Sequence, residues 1–282
     1  MTTYAVTGAS GHLGRLAVKD LLGTAVRPSD IVAIVRAPEK VADLAERGVQ
    51  VRVGDYEDPA SLDRALQGVT RLLLVSSPEV GKRVAQHNTA IEAAKRSGVQ
   101  RIAYTSLLRA DSSSLGLAPE HKATEKLLAR SGIAHSLMRN GWYIENYTGQ
   151  LDTYLATGTV LHAAGAGRVA AASRADLAAA AVAALQNDTA DRTVYELGGA
   201  AFTNDQLAEA ITAASGTTVT AKNVPAQELV GSLIGAGLDE GTAGFLAAVD
   251  TDIANGELDT DSTDLAELIG RAPQTLADVL GK

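Results

Sequence analysis

The chain has 282 residues, 46% of them hydrophobic and 4% aromatic, with a formal charge of −8. A chain of that length forms one large domain, or a large one with a small companion, and the scarcity of aromatics leaves Ala, Val and Leu to fill the core. The negative charge argues against nucleic acid or an anionic membrane as partner, since both demand a basic surface. Zero cysteines exclude disulfides, thiolate catalysis and cysteine-ligated metal. The most apolar stretch, Leu177 to Leu185, is too short to span a bilayer. No signal-peptide pattern precedes the first strand, so the cytoplasm is the default location.

Tyr4-Ala5-Val6 reads as that first strand. Thr7-Gly8-Ala9-Ser10-Gly11-His12-Leu13-Gly14 follows, and then Leu16, Val18, Leu21 and Leu22 recur at helical spacing. A strand that turns through glycines into a helix is the phosphate-binding corner of a doubly wound sheet. The glycines let backbone approach a pyrophosphate, and the helix start offers unpaired N–H groups and a positive dipole end. The spacing is GxxGxxG, in the manner of short-chain dehydrogenases. Thr7, Gly8, Ser10, Gly11, His12 and Leu13 are the candidate cofactor contacts, His12 through its backbone rather than its ring.

Ile31 to Val35 is a continuous apolar run, as expected of a strand buried on both faces of a parallel sheet. At its end an Asp or Glu would grip the ribose 2′-hydroxyl of NAD. This chain has Arg36, whose guanidinium suits a 2′-phosphate through charge and forked hydrogen bonding. That selects NADPH over NADH. The alternative is a solvated arginine at a strand end.

Further strands are expected over Val49–Val53, Arg71–Val75, Arg101–Tyr104 and Ile133–Met138, with helices near Leu62–Leu66, Arg83–Ser97 and His121–Arg130. Such alternation demands a parallel sheet with helices on both faces, and ligands bind beyond the carboxyl ends of its strands. The polar punctuation there adds Asp55 and Tyr56 near adenine, Ser76 and Ser77 near ribose and pyrophosphate, and Asn140, Gly141, Trp142 and Tyr143 near the nicotinamide. After about residue 150 the rhythm changes. Short strands (Thr159–His162, Thr193–Leu197, Thr217–Lys222) alternate with helical stretches (Arg174–Leu185, Asn204–Ala214, Thr263–Ile269), and six glycines between Gly231 and Gly256 suggest a mobile region. The reading is an α/β fold: a doubly wound parallel Rossmann sheet over residues 1–150, then a smaller, mostly helical substrate-covering part over 151–282 that returns some strands to the sheet.

The glycine corner, Ile31 to Arg36, Gly54-Asp55-Tyr56, Ala103 to Leu108 and Leu137 to Tyr147 resemble NmrA-like atypical short-chain dehydrogenases. Within that family the likeness is to type-2 NAD(P)H:quinone oxidoreductases and the related triphenylmethane dye reductases. It extends to Ala163-Gly165-Gly167, Ser173 to Asp176 and Leu268-Ile269-Gly270. The resemblance implies a Rossmann domain, bound NADPH and two-electron reduction of quinones.

Residues at the expected catalytic positions agree. Short-chain dehydrogenases that act on alcohols use a Ser with a YxxxK pair, in which the Tyr protonates the alkoxide. The Lys position falls at His121 and the Tyr position near Leu117, so the tyrosine is missing, while Ser106 fits the Ser position. A quinone needs less help, because hydride delivery gives a stabilised anion that solvent or a weak acid can protonate. The family resemblance also carries His at this place. His121, holding the cofactor ribose or protonating product, and Tyr143 are the candidate catalytic groups. His121 as a mere helix-terminal residue is the alternative. Ser106, Trp142, Tyr143 and Tyr147 are the candidate substrate contacts, since a flat acceptor could stack on such rings. No metal site is expected, and the chain is read as a monomer or homodimer. Two other classes stay open: a non-catalytic NADP(H)-sensing regulator, and a reductase of another acceptor such as a dye, an imine or a ketone.

Overall fold

The computed structural model describes residues 2–187 and 194–281. Its first half alternates β1 (Tyr4–Val6), α1 (His12–Leu22), β2 (Ile31–Val35), α2 (Ala42–Glu46), β3 (Gln50–Val53), α3 (Pro59–Ala65), β4 (Arg71–Leu74), α4 (Arg83–Arg96), β5 (Arg101–Leu107), α5 (Ala118–Ser131) and β6 (Ala134–Asn140). Next come α6 (Glu145–Thr148), α7 (Leu151–Thr157), β7 (Thr159–His162), α8 (Arg174–Gln186), β8 (Val194–Leu197) and α9 (Asn204–Ser215). The chain ends with β9 (Thr220–Asn223), α10 (Ala226–Gly235), α11 (Glu240–Ala254), α12 (Asp264–Ile269) and α13 (Leu276–Leu280).

Seven strands form one parallel sheet in the order β3-β2-β1-β4-β5-β6-β8. The order reverses between β1 and β4, which places a crevice at their carboxyl ends. Successive side chains of a strand point to opposite faces, and the two cores follow that rule. Val6, Ile31, Ala33, Val35 and Leu73 pack under α1 and α8. Ala5, Val32, Ile34, Leu72 and Leu74 pack under α3 and α4. Four of the buried residues along α8 are alanines (Ala178, Ala180, Ala181, Ala184) with Leu177 and Leu185 at the ends of the stretch, which lets α8 lie close to α1.

The turn after β1 is built on two glycine requirements. Gly8 adopts φ +58°, a left-handed conformation that suits glycine. A Cβ on Gly14 would stand 2.4 Å from the Gly8 carbonyl oxygen, so only glycine lets α1 pack this close to the turn.

Residues beyond 150 divide between two places. Helices α8 and α12 and strand β8 complete the main sheet, β8 pairing in parallel with β6. The expected strand Thr193–Leu197 is this β8, although Thr193 lies outside the described residues. The remainder forms a separate layer with a two-stranded sheet of β7 and β9 and its own core around Phe202, Leu207, Ile211 and Ile253. The glycine-rich stretch 231–256, expected from sequence to be mobile, falls largely in a helical pair, α10 and α11. Each internal glycine costs about 1 kcal/mol of helix propensity. Burial of Leu229, Ala247, Val249 and Ile253 in the adjoining cores offsets that. Among the described residues no helix is long and apolar enough to cross a membrane.

Candidate active site

A cleft of about 240 Å³ opens where the strand order reverses. Thr7, Gly8, Ser10, Gly11, Arg36, Asp55, Tyr56, Ser76 and Ser77, spread over four strand ends in the sequence, all line it. His12 opens α1 with an exposed side chain, and Leu13 is buried in the core beneath. What these two offer the cleft is therefore a backbone N–H at the helix start. No side chain caps α1 and no acidic residue stands in its first turn, so the positive helix end is left to an anion.

The floor is held rigidly by side chains from three elements. Thr7 Oγ1 accepts the N–H of Val75 (2.9 Å), Thr105 Oγ1 that of Ser76 (2.8 Å) and His87 Nε2 that of Ser77 (2.9 Å). The Tyr56 hydroxyl donates to the Val75 carbonyl at 2.6 Å and also touches Thr7 Oγ1. The hydroxyls of Thr7 and Tyr56 thus brace the corner, and Tyr56 presents its ring to the cleft. Asp55 forms an Asx turn, its Oδ1 accepting the Glu57 N–H at 3.0 Å, the turn role that such a residue takes by default. At the mouth, the exposed Arg36 guanidinium lies 3.9 Å from Glu79, which Lys82 also pairs.

Beyond the floor, Ser106 and His121 both lie buried. Ser106 is buried, and its hydroxyl donates to Glu125 Oε1 at 2.6 Å. Glu125 in turn receives Arg139 through Nε and Nη2 (3.0 and 2.8 Å), and Arg139 Nη1 reaches Glu196 at 2.9 Å. Ser106 therefore belongs to a buried network that fastens the ends of β5, β6 and β8, with its hydroxyl proton committed to Glu125. His121 is only 5% exposed, does not line the cleft, and has its Nδ1 2.8 Å from the Tyr104 hydroxyl. Burial, helped by Arg83, depresses its pKa to about 3. In this environment the neutral ring is favoured. His87, in the same layer, is likewise pushed down to about 3, first by burial and then by His121 and Arg83. Because its Nε2 accepts a backbone N–H, the proton is assigned to Nδ1, which faces Thr124 Oγ1 at 3.0 Å.

After β6 the chain sends neighbouring residues to opposite sides. Tyr143 packs against the α1–α8 core with the Arg174 guanidinium 4.6 Å from its ring centre. Trp142 and Tyr147 instead join the carboxyl-terminal core and border a second cavity. Tyr143, read from sequence as cofactor, catalytic and acceptor contact, thus has one ring face covered by Arg174. Asn140 is 4% exposed, and its amide makes no hydrogen bond of ordinary geometry, the Tyr143 hydroxyl being the polar group that faces it. A buried amide so poorly bonded is costly unless a ligand completes it. Gly141 leaves no room for a side chain, since a Cβ would stand 2.7 Å from the Ala170 carbonyl oxygen.

Sequence reasoning missed Gln86 and Glu79 on the cleft wall and the Glu125–Arg139–Glu196 network. Gln86 carries no motif, and Glu125 stands 19 positions from its Ser106 partner. Together the left-handed Gly8, the uncapped α1 and the poorly bonded Asn140 amide fit a dinucleotide laid from the Arg36 mouth toward Trp142.

A protein family described as NAD(P)H-binding matches residues 8–188. Quinone oxidoreductase 2 of Escherichia coli is 49% identical over 275 residues, covering 97% of this chain and 96% of that protein. A crystal structure of the E. coli NADPH-dependent quinone oxidoreductase complexed with NADPH superposes with a TM-score of 0.95 at 48% identity, covering 99% and 98% of the two chains. The Citrobacter sp. triphenylmethane reductase complexed with NADP(H) follows at 0.93 and 36%, covering 99% of each. The chain belongs to the NAD(P)H-binding family, in the branch that includes these two reductases.

Proposed function

We propose that the protein is an NADPH-dependent reductase that transfers hydride to a quinone and releases the hydroquinone. The carrying observation is the cleft itself: a glycine corner and an uncapped helix start, with Arg36 at the end where a 2′-phosphate would lie. The kinship with quinone oxidoreductase 2 supports the choice of acceptor. NADPH, when bound, supplies the hydride. Gly8, Ser10, Gly11 and the first N–H groups of α1 hold its pyrophosphate, Arg36 its 2′-phosphate and Asn140 its carboxamide.

The quinone gains that hydride and one proton. No side chain near β5 is suited to give the proton at neutral pH, because Ser106 is committed to Glu125 and His121 is neutral and buried. Solvent supplies it, and a stabilised hydroquinone anion tolerates that route. The protein works in the cytoplasm, as a monomer or homodimer, and its negative charge sets it against nucleic acid. A steady-state comparison of NADPH with NADH against several quinones tests the reading. NADPH that binds but is oxidised by no acceptor would favour a dinucleotide sensor instead.

Two variants probe the roles assigned to single residues. Arg36→Ala should weaken NADPH by roughly ten- to a hundred-fold, the worth of a charge-assisted contact of about 1.5–3 kcal/mol, and leave NADH nearly unchanged. Equal losses for both cofactors in a binding titration would remove the 2′-phosphate from Arg36. Tyr143→Phe keeps the ring beneath Arg174 and should lower kcat/KM by about ten-fold or less. If Phe proves as damaging as Ala, at the roughly 10²–10⁴ level of a general acid, Tyr143 is the proton donor after all.

A further inference from the structure

The second cavity, about 140 Å³, lies between the segment that follows β6 and the α10–α11 pair. Trp142 and Tyr147 form one wall, Leu233 and Leu246 the other, and Tyr154 and Asp250 supply polar groups. Resting on the quinone-reductase reading above, we propose that this pocket seats the acceptor ring, that Tyr147 and Tyr154 donate to its oxygens, and that Asp250 bars acceptors carrying an anionic substituent.

The walls suit a flat ring, because an indole and two leucines offer apolar area, while Asn146, Gln150, His162 and Asn204 line the same cavity with polar atoms. Trp142 lies two residues beyond Asn140, which brings this wall of the pocket to the carboxyl end of β6. Neither tyrosine hydroxyl has a hydrogen-bond partner among the described residues. Burial first, and then the neighbouring Asp250 carboxylate, push both phenols up, so they remain protonated donors. Asp250 Oδ2 accepts the Ala163 N–H at 2.7 Å, which fixes the carboxyl group and leaves its other oxygen uncommitted. No lysine or arginine lines the pocket among the described residues. Burial raises the Asp250 pKa and the Ala163 N–H counters it; in its ionised form Asp250 would meet a second negative charge without compensation in a poorly screened space. The sulfonate or carboxylate of an otherwise acceptable quinone is therefore a liability, and the hydroxyl of a reduced ring a good partner.

Trp142 is the single tryptophan of the chain, so the pocket carries its own fluorescent reporter. With no cofactor present, 2-methyl-1,4-naphthoquinone should quench it saturably and without change of lifetime. The 2-sulfonated naphthoquinone should bind about ten-fold or more weakly. Asp250→Asn keeps an acceptor for the Ala163 N–H and should erase most of that difference. Leu246→Arg should abolish saturable quenching while NADPH affinity, measured separately, stays at the wild-type level and reports an intact fold. Unchanged discrimination in Asp250→Asn, or full quenching in Leu246→Arg, would overturn the assignment. Wild-type protein that turns over quinone without saturable quenching would overturn the pocket alone. Saturable quenching with no NADPH oxidation would support the pocket as a ring site and sink the reductase reading.

Discussion

Arg139→Ala should destabilise the protein by about 3–5 kcal/mol, because it strands buried carboxylates without their cation. Arg139 is 8% exposed at its side chain and Glu125 9%, and the guanidinium also meets Glu196 and the more exposed Asp111. Glu196 has further duties. Its Oε2 accepts the N–H of Arg109, a left-handed residue with φ +49°, and its own N–H donates to Asp264 at 2.8 Å. Removing Arg139 therefore loosens the ends of β5, β6 and β8 together, directly before Asn140 and Trp142. Replacing Arg139 and Glu125 jointly by Met and Leu should cost less than Arg139→Ala, since a buried pair exchanged for apolar residues leaves fewer charges uncompensated. Urea unfolding followed by circular dichroism measures both. A loss below about 1 kcal/mol for Arg139→Ala would place the network in the class of exposed ion pairs.

Mild acid should be the second large effect. His87 and His121 each titrate near 3 in the folded protein, against roughly 6.5 in an unfolded chain. Both bases are depressed by folding, so protons bind the unfolded state more readily. Stability is then fully present above about pH 6.5 and is lost as pH falls toward 3, at about 2 kcal/mol per histidine by pH 5. Protonating His87 would also remove the acceptor for the Ser77 N–H and release part of the cleft floor. The double variant His87→Gln and His121→Asn should flatten the profile between pH 7 and 5. An equally steep profile in that variant would assign the acid loss to other groups.

The sequence made the cofactor corner legible because its constraints are local. Three glycines, a strand before them and a helix after them confine the turn, and Arg36 ends the next strand. Less was legible where a side chain's surroundings depend on a distant partner. Ser106 stands where a substrate hydroxyl would, but Glu125 from α5 claims it. His121 stands where a catalytic lysine would, but burial and Tyr104 make it a neutral core residue. Trp142 and Tyr143 are neighbours in an extended segment bridged to Ala172, so they face opposite sides. Sequence alone did not say which one faces the pocket. Helices α10 and α11 were hidden by glycines whose cost is offset only by tertiary packing.

An anaerobic single turnover tests the central claim most directly. Equal amounts of NADPH and quinone, mixed with excess protein, should yield hydroquinone in step with NADPH loss and with no semiquinone radical signal, as direct hydride transfer requires. A transient radical signal, or NADPH loss without hydroquinone, would contradict it.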